Sequence, residues 1–294
     1  MSAKPKRPQR PRELQDPLNH YLYHPLAWRL ARLLAKTPIT PNMVSVAGAL
    51  CVIAAAWSYA QAWFPESALL GLALHMTWHV VDGADGDLAR LTGRASPIGE
   101  MVDGLCDYLS HAVLYVTLAW LLSYSMGWSA WVWAVLAGVS HAVQSNHVEV
   151  QRRQYQYWVY GTPWIRQSHK AGSETAKSGF STLVTLYINA AASMTPYALR
   201  IDDAVAAAQD DRPRLHSIRT AARAKLVPLL LLCKWLGPNP RAILLGVAML
   251  AGGPGWHGAL YYFLYQAAFL NVLLVWSVYA HNKAARRIAA RISA

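Results

Sequence analysis

The chain has 294 residues, of which 54% are hydrophobic and only 14% charged, yet its formal net charge is +12. Such apolarity excludes an ordinary soluble domain, and the basic surplus comes without any helix-turn-helix, zinc-finger or RNA-binding signature, which excludes a nucleic-acid partner. The expected fold is an all-α integral membrane protein whose basic cytoplasmic segments face anionic lipid, each Lys or Arg near the surface contributing on the order of 1 kcal/mol.

Residues 1–16 read as a basic, Pro-rich cytoplasmic tail without the apolar core of a signal peptide. From 17 to 36, Leu, Tyr and Trp interleave with Arg29, Arg32 and Lys36 at helical spacing, which predicts an amphipathic interfacial helix, broken at Pro25. Pro41 then opens the first span, 42–60. The loop QAWFPES carries no basic residue and is placed outside by the positive-inside rule. A second span runs over 67–91, a third over 97–122, and a fourth from 130 to Glu149 with a helical continuation to 160. Residues 161–220 form a cytoplasmic or interfacial insertion, read as two helices flanking Pro196; its apolar run FSTLVTLYINAAASM as a further crossing would upset the charge topology. Residues 221–294 hold an interrupted fifth span, a sixth span over 259–279 and a basic tail. The main body of the fifth, 240–252, rises only about 20 Å against a core of roughly 30 Å, so the segment before it must contribute. The count is six spans with both termini in the cytoplasm. Cys51, Cys106 and Cys233 are too far apart for a CxxC zinc pattern and offer no disulfide framework.

Within this apolar chain the segment VDGADGDLARLTGRASPIGEMVDGLCD, residues 81–107, stands out. Asp82 with Asp85, and Asp103 with Asp107, are spaced to share one face of a helix each. Residues 91–98, with Gly93 and Pro97, read as a tight turn, so the folded hairpin brings the two pairs to a similar depth as a cage of four carboxylates. Ionised carboxylates at membrane depth cost several kcal/mol each unless paired, hydrated or metal-bound. No run of Lys or Arg faces them within the hairpin, and an all-oxygen donor set suits a hard divalent cation.

The pattern D-x2-D-G-x2-A-R-x8-G-x3-D-x3-D is filled at every fixed place by Asp82, Asp85, Gly86, Ala89, Arg90, Gly99, Asp103 and Asp107. In these residues the chain strongly resembles the CDP-alcohol phosphatidyltransferase family of membrane enzymes. The resemblance implies that residues 37–160 are the catalytic transmembrane helices. It implies that Asp82, Asp85, Asp103 and Asp107 hold two Mg²⁺ or Mn²⁺ ions, and that Asp107 also takes the acceptor's proton. It further implies a nucleotide site at Asn42, Asp82, Gly86, Ala89, Arg90 and Gly99, the small residues giving a cytidine ring a flat face. For Asn42 a helix cap is the alternative; for the small residues, close helix packing is. Arg90 either meets a phosphate or braces an acidic residue.

His75, His79 and His111 continue the same faces into the membrane, and His141, Gln144, Ser145 and Glu149 recur at spacings of three and four on the fourth span, with His147 pointing elsewhere. His75, His79, His111 and His141 are candidates for an acceptor pocket, against histidines satisfied by interhelical hydrogen bonds. Arg152 and Arg153 join them as candidate clamps on an anionic acceptor, or else anchor the helix by snorkelling.

The implied activity is divalent-metal-dependent transfer of a phosphatidyl-type group from a CDP-linked lipid, CDP-diacylglycerol foremost, to the hydroxyl of an acceptor alcohol with release of CMP. The implied setting is a homodimer in a bacterial inner membrane, its site open to the cytoplasm. Two alternatives stay open: transfer of a head group from a soluble CDP-alcohol to a lipid alcohol, and a divalent-cation transporter built on the Asp cage.

Overall fold

The computed structural model describes residues 11–162, 193–255 and 257–293, and among these every regular element is helical. The helices are α1 (His24–Leu34), α2 (Pro41–Tyr59), α3 (Glu66–Leu91), α4 (Pro97–Met126), α5 (Ser129–Tyr160), α6 (Ala198–Ala207), α7 (Arg212–Cys233), α8 (Pro238–Ala251), α9 (His257–Leu264) and α10 (Leu270–Ser293). The first of the two expected insertion helices falls largely outside the described residues.

Local chemistry sets the ends that matter for the site. Thr40 caps α2 by accepting from the Met43 N–H at 3.4 Å, and Ser96 caps α4 by accepting from the Gly99 N–H at 3.0 Å. In both helices a proline follows the cap, where its missing N–H costs nothing. Gly93, at φ +66°, supplies the left-handed turn between α3 and α4 that a side chain would strain.

One expectation changes. Pro25 does not break the first helix: helical structure runs without a gap from residue 17 to Leu34, and a π-helical turn at Asn19–Tyr23 directly before Pro25 accommodates a residue with no N–H to donate. Ahead of the fifth span α7 runs unbroken from Arg212 to Cys233, through residue 220 and with Pro228 inside it. A 3₁₀ turn, Lys234–Leu236, then joins it to α8.

Among the described residues three stretches are long and apolar enough to cross a membrane: Pro41–Tyr59, Ile98–Met126 and the joined α9–α10 stretch His257–Ile292. α3 and α5 have the length, with 26 and 32 residues, but carry polar groups in their otherwise apolar sequence. α8 has only 14 residues.

The described residues form two compact units. One comprises those up to 139 together with those of 238–267; the other comprises those of 140–237 and 268 onward. In the first, α2 packs on both α3 and α4, while α1 lies against α3. Its core joins Val52, Tyr59, Trp78, Leu114, Leu118, Leu122, Leu245 and Phe263. Between helices in lipid, close packing takes the place of water exclusion as the driving force, so small residues at crossings matter. Gly71 shows this: a Cβ there would lie 2.5 Å from the ring of the buried Tyr59. In the second unit α10 packs against α6 and α7, and the Trp158 indole donates to Asp202 Oδ1 at 2.6 Å.

Candidate active site

The aspartates arise from facing stretches of α3 and α4 in the first unit. One carboxylate oxygen from each of Asp82, Asp85 and Asp103 lies within 4.8 Å of the others. Asp85 is buried; its Oδ2 accepts from the Ser45 hydroxyl at 2.5 Å, and its Oδ1 accepts from the Gly86 N–H. Ser45, on α2, thus fixes the orientation of a residue on α3. Asp103 Oδ1 is buried with no hydrogen-bond partner among the described residues.

An unsatisfied carboxylate oxygen beside two further carboxylates is the arrangement a hard cation stabilises, since it offers oxygen donors and cancels their mutual repulsion. The donor set therefore fits Mg²⁺ or Mn²⁺ by its chemistry. Asp107 is not part of the close group of three among the described residues. Instead its Oδ1 accepts from the Trp78 indole N–H at 3.1 Å, while its backbone carbonyl contacts His111 Nδ1 at 2.8 Å.

The expected nucleotide residues lie along the same helix ends. Asn42 is in the first turn of α2 but is not the cap, a role held by Thr40; its Oδ1 lies 3.6 Å from where a Cβ on Gly99 would stand. Gly86 faces Arg90, whose guanidinium would meet a Cβ there at 3.5 Å. Arg90 donates to the buried Asp87 at 2.5 Å, so in this structure it braces an acidic residue while staying half-exposed. Ala89 is partly buried on the same turn of α3.

Of the expected acceptor-pocket residues, His75, His79 and His111 come together around Trp78. The His75 and His111 rings stand 5.5 Å apart, and those of Trp78 and His111 stand 4.6 Å apart edge to face. Tyr23 stacks on His79 at 5.0 Å. His75 Nδ1 and His79 Nε2 are buried without hydrogen-bond partners among the described residues. Buried Arg241 of α8 places a positive charge within electrostatic range of His111 and Tyr115. His141, Arg152 and Arg153 belong to the second unit. There Arg152 holds Glu149 through two hydrogen bonds of 2.8 and 2.9 Å, and Arg153 holds the same carboxylate.

Residues 38–201 match the sequence model of the CDP-alcohol phosphatidyltransferase family. The chain belongs to this family. The CDP-alcohol phosphatidyltransferase match takes in α2 to α5 with all four aspartates, and also residues 161–201, which the sequence alone set apart as an insertion. Curated relatives include the archaetidylinositol phosphate synthase of Aeropyrum pernix, 34% identical over 95 residues that cover 32% of this chain and 46% of that protein. The enzyme of the same name from Pyrococcus horikoshii is 32% identical over 91 residues, 31% of this chain and 46% of the relative. The phosphatidylinositol phosphate synthase of Mycobacterium tuberculosis is 29% identical over 98 residues, 33% of this chain and 43% of the relative. The matching segment thus spans a little under half the length of these relatives.

Sequence reasoning did not single out Ser45, Trp78, Asp87 or Arg241. The Asp87–Arg90 pair could have been read from its three-residue spacing on a helix. Ser45 and Asp85 are 40 positions apart, and no local pattern links them.

Proposed function

We propose that the protein transfers a phosphatidyl-type group from a CDP-linked lipid, such as CDP-diacylglycerol, to the hydroxyl of a polar alcohol and releases CMP. The observation that carries this reading is the approach of Asp82, Asp85 and Asp103 within 4.8 Å, with an orphaned Asp103 oxygen, inside the family-matched segment.

Asp82, Asp85, Asp103 and Asp107 would hold two Mg²⁺ or Mn²⁺ ions. When bound, these would neutralise the diphosphate and align it for displacement. Gly86, Ala89 and Gly99 leave room for the cytidine, with Asn42 at its edge, and Arg90 can exchange its bond to Asp87 for one to a phosphate. Asp107, oriented by the Trp78 indole, accepts the proton of the attacking hydroxyl. The acceptor oxygen then bonds to the lipid-bearing phosphorus, the bond from that phosphorus to the CMP oxygen breaks, and CMP leaves.

His75, His79 and His111 line the approach beside Asp107, where a polyol can satisfy His75 Nδ1 and His79 Nε2. The relatives' names make an inositol phosphate the first acceptor to test. From their place in the sequence alone His141, Arg152 and Arg153 are proposed as acceptor-binding residues, the two arginines exchanging Glu149 for a phosphate. The same reading makes the enzyme a homodimer of a bacterial inner membrane, and the basic segments, by the positive-inside rule, support a site that faces the cytoplasm. Six spans follow if α2, α3, α4 and α5 each cross, α7 and α8 together make the fifth crossing, and α9–α10 make the sixth.

Purified protein incubated with Mn²⁺, CDP-diacylglycerol and separate alcohols tests this, with CMP followed by mass spectrometry. Acceptor-dependent CMP with inositol phosphate is expected. Release of CMP only from CDP-choline or CDP-ethanolamine with a lipid alcohol would reverse the donor assignment. Metal-ion uptake into liposomes without CMP release from any pair would refute the transferase reading.

A further inference from the structure

The second unit holds a cluster of a different chemical kind. His147 of α5, Cys233 at the end of α7 and His281 of α10 are all buried, and one ligand atom from each lies within 4.8 Å of the others. Ser277 stands among them. Its hydroxyl is 2.9 Å from His147 Nε2, 3.3 Å from Cys233 Sγ and 3.2 Å from His281 Nδ1. Its carbonyl lies 2.9 Å from the same His281 nitrogen. A carbonyl only accepts, so His281 Nδ1 carries the proton in that bond and Nε2 is left with a bare lone pair. Both His281 Nε2 and His147 Nδ1 are buried and have no hydrogen-bond partner among the described residues.

A buried imidazole nitrogen with no partner is unfavourable, and a cation that takes its lone pair removes that penalty. An imidazole with one nitrogen held by a hydroxyl or carbonyl and the other bare is also what metal-binding histidines present. We propose that His147, Cys233 and His281 form a binding site for Zn²⁺, separate from the aspartate cluster and tying α5, α7 and α10 together.

The donor set decides the cation. One thiol and two imidazoles are soft to borderline donors, suited to Zn²⁺ and ill-suited to Mg²⁺ or Mn²⁺. Three protein ligands leave a fourth position, which the Ser277 hydroxyl or a water can take. Binding releases one proton, as the Cys233 thiol becomes a thiolate and both imidazoles stay neutral. Bond lengths of about 2.0–2.3 Å to zinc place tetrahedral ligands roughly 3.5 Å apart, so on binding the two rings turn their bare nitrogens towards Cys233 Sγ. The sequence hid this site because its members are scattered and His147 falls off the polar stripe of its own helix.

The test uses full-length protein in detergent, titrated with Co²⁺ as a spectroscopic substitute for Zn²⁺. Cys51→Ala/Cys106→Ala protein leaves Cys233 as the one thiol of the chain. One Co²⁺ per chain is expected to give a thiolate-to-cobalt charge-transfer band, which one equivalent of Zn²⁺ abolishes. The aspartate cluster cannot produce that band. It should vanish in Cys233→Ser, and His147→Gln or His281→Gln should bind at least about tenfold more weakly. Absence of the band in the unmutated, monodisperse protein at saturating Co²⁺ overturns the proposal, as does a band that survives Cys233→Ser.

Discussion

Replacing Ser45 with alanine probes the support of the aspartate cluster without touching a carboxylate. The Ser45 hydroxyl donates to Asp85 Oδ2 at 2.5 Å from a neighbouring helix, and Asp85 is almost wholly buried. A hydrogen bond to a charged group contributes about 1.5–3 kcal/mol. At about 1.4 kcal/mol per factor of ten, that corresponds to a change of roughly 10- to 150-fold. Loss of groups that orient metal ligands costs about 10- to 100-fold in metal affinity, so the two estimates agree. The expected result for Ser45→Ala is therefore a Mn²⁺ concentration for half-maximal CMP release raised by about 10- to 100-fold. Turnover should recover at saturating Mn²⁺, and Ser45→Thr, which keeps the hydroxyl, should behave like the parent. A monodisperse Ser45→Ala protein with an unchanged Mn²⁺ requirement would refute the assignment of Asp85 as a supported metal ligand.

Other perturbations separate roles. Trp78→Phe removes the indole N–H held by Asp107, and kcat should fall about tenfold or more with the Mn²⁺ requirement unchanged; equal effects on both would place Trp78 with the metal instead. Gly71→Ala puts a Cβ 2.5 Å from the Tyr59 ring and should cost about 1–3 kcal/mol, read as a lower melting temperature in detergent. Adding Tyr59→Leu should recover part of that loss, and full stability of Gly71→Ala alone would contradict the close α2–α3 packing. Gly93→Ala meets no neighbour but forces an alanine to φ +66°, for an expected loss of about 1–2 kcal/mol by the same measurement.

The parts of this fold that short-range pattern controls were legible in the sequence. The Pro41 start of α2, the Pro97 start of α4 and the turn at Gly93 follow from capping and proline chemistry within a few residues, and the paired aspartates follow from helical spacing. Interactions between distant segments were not. Nothing local shows that Ser45 reaches Asp85, that Trp78 holds Asp107, or that His147, Cys233 and His281 meet. Pro25 was misread because no local pattern reveals the π-helical turn before it, which lets the helix run on through the proline. The extent of α7 was hidden by Pro228 and by the charged residues of its first half, which hydropathy reads as surface.

The central claim, that the aspartates of α3 and α4 carry out transfer from a CDP-linked lipid, is tested most directly by CMP release from CDP-diacylglycerol in Mn²⁺ and inositol phosphate. Parent protein is compared with Asp107→Asn and Asp103→Asn after each variant is shown to be monodisperse. The account predicts acceptor-dependent CMP from the parent and a loss of at least about a hundredfold in both variants, the lower range for removal of an acid–base group. Retention of parental activity by folded Asp107→Asn and Asp103→Asn would contradict it.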